Sequence, residues 1–152
     1  MKKTIMDDAC EMPLTNATSA EVRLLLTAGK TVAVVGLSDK PDRDSYRVAA
    51  YLQQHGFKII PINPNVTEVL GEKACASLLE VREPVDIVDI FRKPEFVPGL
   101  VAEAIVIRAR AVWMQKGIVH NTAAEKARQA GLRVVMNKCI MVEHQGLQLS
   151  KP

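Results

Sequence analysis

Apolar residues in this chain follow two rhythms. In the first they occupy consecutive positions over four or five residues, as in Thr31-Val-Ala-Val-Val35, Phe57-Lys-Ile-Ile-Pro-Ile62, Val85-Asp-Ile-Val-Asp-Ile-Phe91, Ala111-Val-Trp-Met-Gln115 and Arg133-Val-Val-Met-Asn137. Consecutive apolar positions are what a parallel strand covered on both faces requires. In the second rhythm they recur at three and four residues and trace one face of a helix. Val48, Ala49 and Leu52 do so over residues 44–55, and Val97, Leu100, Val101, Ala104 and Ile105 do so after Pro94, with Pro98 delaying the regular start of that helix.

Turn and cap residues separate the two patterns. Thr18-Ser-Ala-Glu21 reads as a capping box opening a short helix that Gly29 ends, and Gly56 stops the next. Asn63-Pro-Asn65 is a strong turn signal. Residues 66–70 add a little extended structure closed by Gly71, and residues 77–82 form a short helix stopped by Pro84. Asn121 or Thr122 caps an alanine-rich helix ending at Gly131, and beyond the fifth strand the tail is polar with scattered leucines.

Strand and helix alternating in this way predict an α/β fold, a Rossmann-like doubly wound and mainly five-stranded parallel sheet. The expected strand order is 3-2-1-4-5. Residues 1–17 form a loose lead-in and residues 18–152 a single domain. In such sheets ligands bind beyond the carboxyl ends of the strands, beside the point where the order reverses. That rule selects residues 36–45, 61–65, 91–94, 115–118 and 137–143.

Composition narrows the classes. A 48% hydrophobic and 24% charged chain of 152 residues is an ordinary globular one. Its net charge of +3 and 4% aromatic content offer neither a basic stripe nor a stacking platform for nucleic acid. Cys10, Cys75 and Cys139 lie far apart with no CxxC pair, so no disulfide framework or metal site is expected. No stretch reads as a signal peptide or approaches the roughly 20 residues of a membrane span, so a cytoplasmic location is expected.

The loop after the first strand, Gly36-Leu-Ser-Asp-Lys-Pro41, turns on glycine into a helix N-terminus, the arrangement that cradles phosphate through backbone N–H groups and the helix dipole. It lacks the G-x-G-x-x-G fingerprint, and Ile62-Asn-Pro64 stands where a dinucleotide enzyme carries its ribose-binding carboxylate, which disfavours NAD. No Walker G-K-[ST] occurs either. Read as charges alone, Arg43 and Arg47 fit ion pairs with Asp42 and Asp44. Asp86 and Asp89, three apart on a strand, point to opposite faces and form no acid/base pair, and Asp89 is expected to make structural hydrogen bonds.

Six segments in series carry a resemblance: Val34-Val-Gly-Leu-Ser-Asp-Lys-Pro41, Ser45-Tyr-Arg47, Ile60-Pro-Ile-Asn-Pro64, Val85-Asp-Ile-Val-Asp-Ile-Phe-Arg92, Val112-Trp-Met-Gln115 and Met136-Asn-Lys-Cys139. Together they resemble the small stand-alone CoA-binding proteins, which are similar to the CoA-binding N-terminal domain of the succinyl-CoA synthetase α-subunit. The resemblance implies a Rossmann-like fold binding CoA or acyl-CoA, with the pyrophosphate over Gly36, Leu37, Ser38, Asp39 and Lys40. It implies phosphate contacts from Ser38 and Lys40, a further charge contact from Arg47, Asn63 and Pro64 along the nucleotide, and Phe91, Arg92 and Pro94 on the other wall. CoA's extra phosphate suits the missing carboxylate and the added cations. Small residues are common in the family where Leu37 stands, so the leucine is expected to narrow the pocket.

The related synthetases act through a phosphohistidine in a second domain with no counterpart in these 152 residues. The resemblance therefore implies a binding protein that is non-catalytic on its own and has a larger acyl-CoA enzyme as partner. No catalytic or metal residue is assigned. The alternatives are an NAD(P)-type oxidoreductase, a CoA-dependent transferase using Cys139 or His144, or a ligand-free module acting through protein contacts.

Overall fold

The computed structural model describes residues 11–149. Five parallel strands form the central sheet: β1 (Thr31–Val35), β2 (Lys58–Ile62), β5 (Ile87–Ile90), β6 (Ala111–Met114) and β7 (Arg133–Val135). A two-stranded hairpin of β3 (Glu68–Val69) and β4 (Glu72–Lys73) lies in the connection after β2. The helices are α1 (Ser19–Ala28), α2 (Asp44–Gln54), α3 (Val97–Val106), α4 (Asn121–Gln129) and α5 (Ile140–Leu149).

The expected α/β class and five-stranded parallel sheet are both found. The strand order is not the expected one. The sheet runs β2-β1-β5-β6-β7, so the third parallel strand pairs with β1 rather than beyond β2. Pro61 explains why. Lys58 N–H donates to Lys30 O on the β1 side, so the odd positions of β2 face outward, and there Pro61 has no N–H to give. Among the described residues only Cys75 bridges that edge, its N–H donating to Pro61 O at 2.9 Å. A strand carrying proline on its outward side ends a sheet.

Each sheet face carries its own core. On one side Val35, Ile90, Val112 and Met114 pack under Val97, Val101 and Ala104 of α3 and Ala123, Ala124 and Ala127 of α4. On the other Val32, Val34, Ile87 and Trp113 pack under α1, α2 and α5 through Leu25, Leu26, Val48, Leu52 and Ile140. The Trp113 indole is fully buried and gives its N–H to Lys138 O at 2.8 Å.

Several local expectations change. The capping box at Thr18 is present, with both reciprocal hydrogen bonds. The polar tail is instead the helix α5, whose Ile140 and His144 face the core. Residues 94–96 form a 3₁₀ turn, and α3 starts at Val97, one residue before Pro98, which occupies a first-turn position where no intrahelical donor is lost. The cap of α4 is His120, whose Nδ1 accepts from Ala123 N–H, because Asn121 is engaged with Glu11, Met12 and Leu14.

Residues 1–10 of the expected lead-in lie outside the described residues. Its remainder is tied to the far edge of the sheet. The Asn16 side chain accepts from Met136 N–H and donates to Met136 O, both at 2.9 Å, and so imitates one residue of a neighbouring strand.

Asp89 also departs from expectation. It is fully buried between Val34 and Trp113, and neither carboxylate oxygen has a partner among the described residues. Burial pushes its carboxyl well above the usual carboxylate range, so the folded chain holds this proton where the unfolded chain, titrating near about 3.9, has released it. The folded state then binds more protons than the unfolded one. This contribution to stability is complete below the unfolded pKa and is lost as pH rises towards the folded one. Asp89→Leu, which matches the side chain heavy atom for heavy atom, is expected to stabilise the protein by about 1–3 kcal/mol at neutral pH. It should also flatten the decline in stability that begins as pH rises through the unfolded carboxylate value of about 3.9. Urea unfolding at acidic and at neutral pH checks this, and a lower midpoint for the variant would count against an unpartnered acid.

Candidate functional site

With β1 and β5 adjacent, the sheet's direction of growth reverses between them. The connection from β1 goes to α2 on one face, and the connection from β5 goes to α3 on the other. A crevice must open where the two part. Gly36 and Phe91 form its floor. Gly36 has φ +85°, and a Cβ there would stand 2.9 Å from Phe91 O and 3.1 Å from Arg92 Cδ. Only glycine allows both the backbone angle and the approach.

The β1 loop is held from three sides. Gly36 N–H continues the ladder to Ile62 O at 2.9 Å. Ser38 N–H donates to the buried Ser45 Oγ at 3.0 Å, and Lys40 N–H donates to Ser38 Oγ at 3.1 Å. Asn63 Nδ2 donates to Leu37 O at 3.0 Å while its Oδ1 accepts from Asn65 N–H. The Asn63 side chain thus ties the β1 and β2 loops together.

The loop ends at Arg43, which supplies no side-chain cap to α2. The first-turn N–H groups of α2 therefore face the crevice without a capping partner, and the positive end of the helix is open there. Around this point Gly36, Ser38, Asp42, Arg43, Asp44, Ser45 and Phe91 line a shallow depression of about 350 Å³. It adjoins a larger cleft of about 520 Å³ that shares Asp44 and Phe91 with it. Arg47, Val48, Arg92, Lys93 and Pro94 form one side of the larger cleft, and Gln115 to Ile118, Cys139 and Met141 form the other.

The far wall is also built from stitched loops. Asn137 sits in the left-handed region at φ +60°, which asparagine tolerates, and its Oδ1 accepts from Gly117 N–H at 2.7 Å. Gln115, 5% exposed, accepts Ile140 N–H on Oε1 at 3.1 Å and so fixes the start of α5.

The residues singled out in the sequence fall into three groups. Gly36, Ser38, Arg47, Phe91, Arg92 and Pro94 line the crevice. Asp39, Lys40 and Pro64 are exposed beside it, and Asn63 is turned to the loop main chain. Leu37 is fully buried in the core under α2, so the expected narrowing of the pocket does not occur. Arg47 pairs with Asp44 and donates to Asp42 O at 2.7 Å, in keeping with its charge-pair reading. The Arg92 guanidinium lies 4.1 Å over the Phe96 ring.

Cys139 lines the cleft, whereas His144 is buried behind it with Nδ1 2.7 Å from Tyr51 Oη. In the sequence Cys139 stands out as the nucleophile of the alternative transferase, and Gln115 and Cys139 close two of the segments that carry the resemblance. Lys116, Gly117, Ile118 and Met141 have no signal there beyond the rule about strand carboxyl ends.

A family model described as a CoA binding domain matches residues 30–145. The chain belongs to this CoA-binding-domain family. A relative in Bacillus subtilis, the uncharacterised protein YneT, is 43% identical over 129 residues, covering 85% of this chain and 96% of that protein. A hypothetical protein from Pyrococcus horikoshii has a solved structure that matches with a TM-score of 0.85 at 38% identity, over 97% of this chain and 99% of that one. The acetate–CoA ligase (ADP-forming) of Methanocaldococcus jannaschii is 26% identical over 80% of this chain, which corresponds to 18% of the ligase. Among the described residues of this CoA-binding domain no helix is long and apolar enough to cross a membrane, and no cluster of metal-ligating side chains occurs.

Because the crevice floor needs an absent Cβ, Gly36→Ala is expected to destabilise the fold by about 1–3 kcal/mol through backbone strain. The loop should also shift away from Phe91. Thermal unfolding measures the first effect. Proton–deuterium exchange of residues 36–45 reports the second, and unchanged protection there would contradict the close approach.

Proposed function

We propose that this protein binds CoA or acyl-CoA in the crevice between the β1 and β5 loops and does not carry out acyl transfer by itself. The observation that carries the reading is the uncapped N-terminus of α2, reached from Gly36 and opening onto a cleft with apolar and cationic walls. A diphosphate seated over residues 36–45 meets main-chain N–H groups and the helix dipole. The Lys40 side chain is exposed next to it.

Asn63 supports the same choice of ligand. Where a dinucleotide enzyme presents a carboxylate to the ribose, this chain has an amide bonded to Leu37 O. Nothing at that position repels a ribose phosphate. Membership of the CoA-binding-domain family adds independent support. In the proposed pose Asn63 and Pro64 lie along the nucleotide end, Arg47 gives a further charge contact from α2, and Phe91, Arg92 and Pro94 form the other wall.

The similarity to an acetate–CoA ligase adds support for a CoA-type ligand and for a larger acyl-CoA enzyme as partner. The second reading, an enzyme using Cys139 with His144, has little in the geometry to favour it. The His144 ring is engaged with Tyr51 and packed against His55 and Phe57.

Calorimetric titration with CoA, dephospho-CoA, NAD, NADP and ATP tests the proposal. CoA is expected to bind most tightly, and Lys40→Ala to weaken it roughly tenfold, the equivalent of about 1.4 kcal/mol. A response to NAD with none to CoA would overturn it.

A further inference from the structure

We propose that Cys139 is a site of covalent modification, at which its thiol exchanges with the disulfide of a CoA seated in the cleft to leave a mixed disulfide. This rests on the CoA-binding reading and extends it to the far end of the ligand. Cys139 is half-buried in the cleft wall immediately before α5, and its carbonyl accepts the Glu143 N–H at 3.0 Å.

The neighbouring Gln115 points independently to a ligand at this place. Its side chain is 95% buried, and Oε1 is committed to Ile140 N–H, which sets the orientation of the amide. Its Nε2 has no partner among the described residues. Nε2 is also absent from the polar atoms sealed off without a partner, which are the two Asp89 oxygens, so it opens into the cleft that Gln115 lines. Arg47, Arg92, Lys93 and Lys116 line the cleft as well, but Gln115 Nε2 is a neutral donor oriented by its own anchor, and such a donor calls for a carbonyl acceptor.

The geometry connects the two residues. Gln115 follows β6, two strands from β1 and therefore about 10 Å across the sheet from the phosphate loop. An arm that starts over Gly36 and crosses Phe91 reaches Gln115 with its middle or distal part. The pantetheine arm of CoA carries two amide carbonyls and then ends in a thiol. A carbonyl on Gln115 Nε2 leaves the sulfur beside Cys139, because Ile140, whose N–H Gln115 holds, is the next residue in the chain.

The step is a thiol–disulfide exchange. Cys139 loses its proton to solvent, and Sγ attacks the sulfur of the seated CoA in a CoA disulfide. The old S–S bond breaks, the Cys139–CoA bond forms, and the departing thiolate takes up a proton. Cys139 is oxidised and the departing thiol reduced, with no other electron donor or acceptor.

The test follows the full chain by intact-mass and peptide mass spectrometry during exposure to CoA disulfide or glutathione disulfide. Cys139 is expected to acquire CoA at least tenfold faster than glutathione. Cys75, half-buried at the β2 edge, should show no such preference. Excess acetyl-CoA should slow the CoA reaction, and Gln115→Glu, which keeps the acceptor for Ile140 N–H but removes the donor, should cut only the CoA-specific rate. Equal rates with both disulfides, or a preference at Cys75, would overturn the inference. A parallel titration with reduced CoA separates the two claims. Binding without preferential modification refutes the Cys139 site alone, and no binding refutes both.

Discussion

The backbone of Gly36 lies so close to the Phe91 carbonyl that no side chain fits between them. This approach occurs between β1 and β5, neighbouring strands whose connections leave for opposite faces. Had the residue carried a Cβ, the β1 loop would ride higher and the crevice would lose its floor. The rest of the site is a set of polar stitches that hold the surrounding loops at that level. Ser45 holds Ser38, Asn63 holds Leu37, Asn137 holds Gly117 and Gln115 holds Ile140. In each a side chain from one loop or helix satisfies main chain from another, so the crevice keeps its shape without a ligand.

The strands were legible because burial on both faces demands consecutive apolar residues, and few other structures do. Their order was legible too, in Pro61, but a proline had to be read for the direction its missing N–H would face. That direction depends on register, which apolar patterning does not reveal. The helix α5 was hidden for another reason. Its buried face carries His144 next to Ile140, and Gly146 interrupts it, so the pattern of a short amphipathic helix is diluted by residues of low helix propensity. Packing against α2 and the sheet overrides that preference.

The site was legible as a set of loops and less so as a set of side chains. Its place in the phosphate loop points Leu37 at a ligand, yet the turn at Gly36 sends its side chain into the core. The position of Asn63 after β2 points it along the nucleotide, and its hydrogen bonds are made to loop backbone. Gln115 looked like the end of a strand, but one half of its amide anchors α5 and the other half is open. Such roles follow from which backbone groups remain unpaired after folding, a property of the whole molecule and not of any short motif.

Charge gives a further constraint on what the crevice suits. Between residues 39 and 47 the acids Asp39, Asp42 and Asp44 equal in number the bases Lys40, Arg43 and Arg47, and Arg47 is already paired with Asp44. The net side-chain charge of the segment is therefore nil, and it gives little long-range pull on an anion. Short-range contacts carry the attraction instead, from the main-chain N–H groups at the start of α2 and from a local cation such as Lys40. The larger cleft beyond combines apolar surface from Val48, Phe91, Pro94, Ile118 and Met141 with the cations Arg47, Arg92, Lys93 and Lys116 and the amide of Gln115. A ligand matched to both parts carries its phosphate at one end and a long neutral arm with carbonyl groups at the other. On the proposed reading a pantetheine-like chain takes that wall, and the carboxylate a dinucleotide enzyme carries at the end of its second strand is replaced here by Asn63.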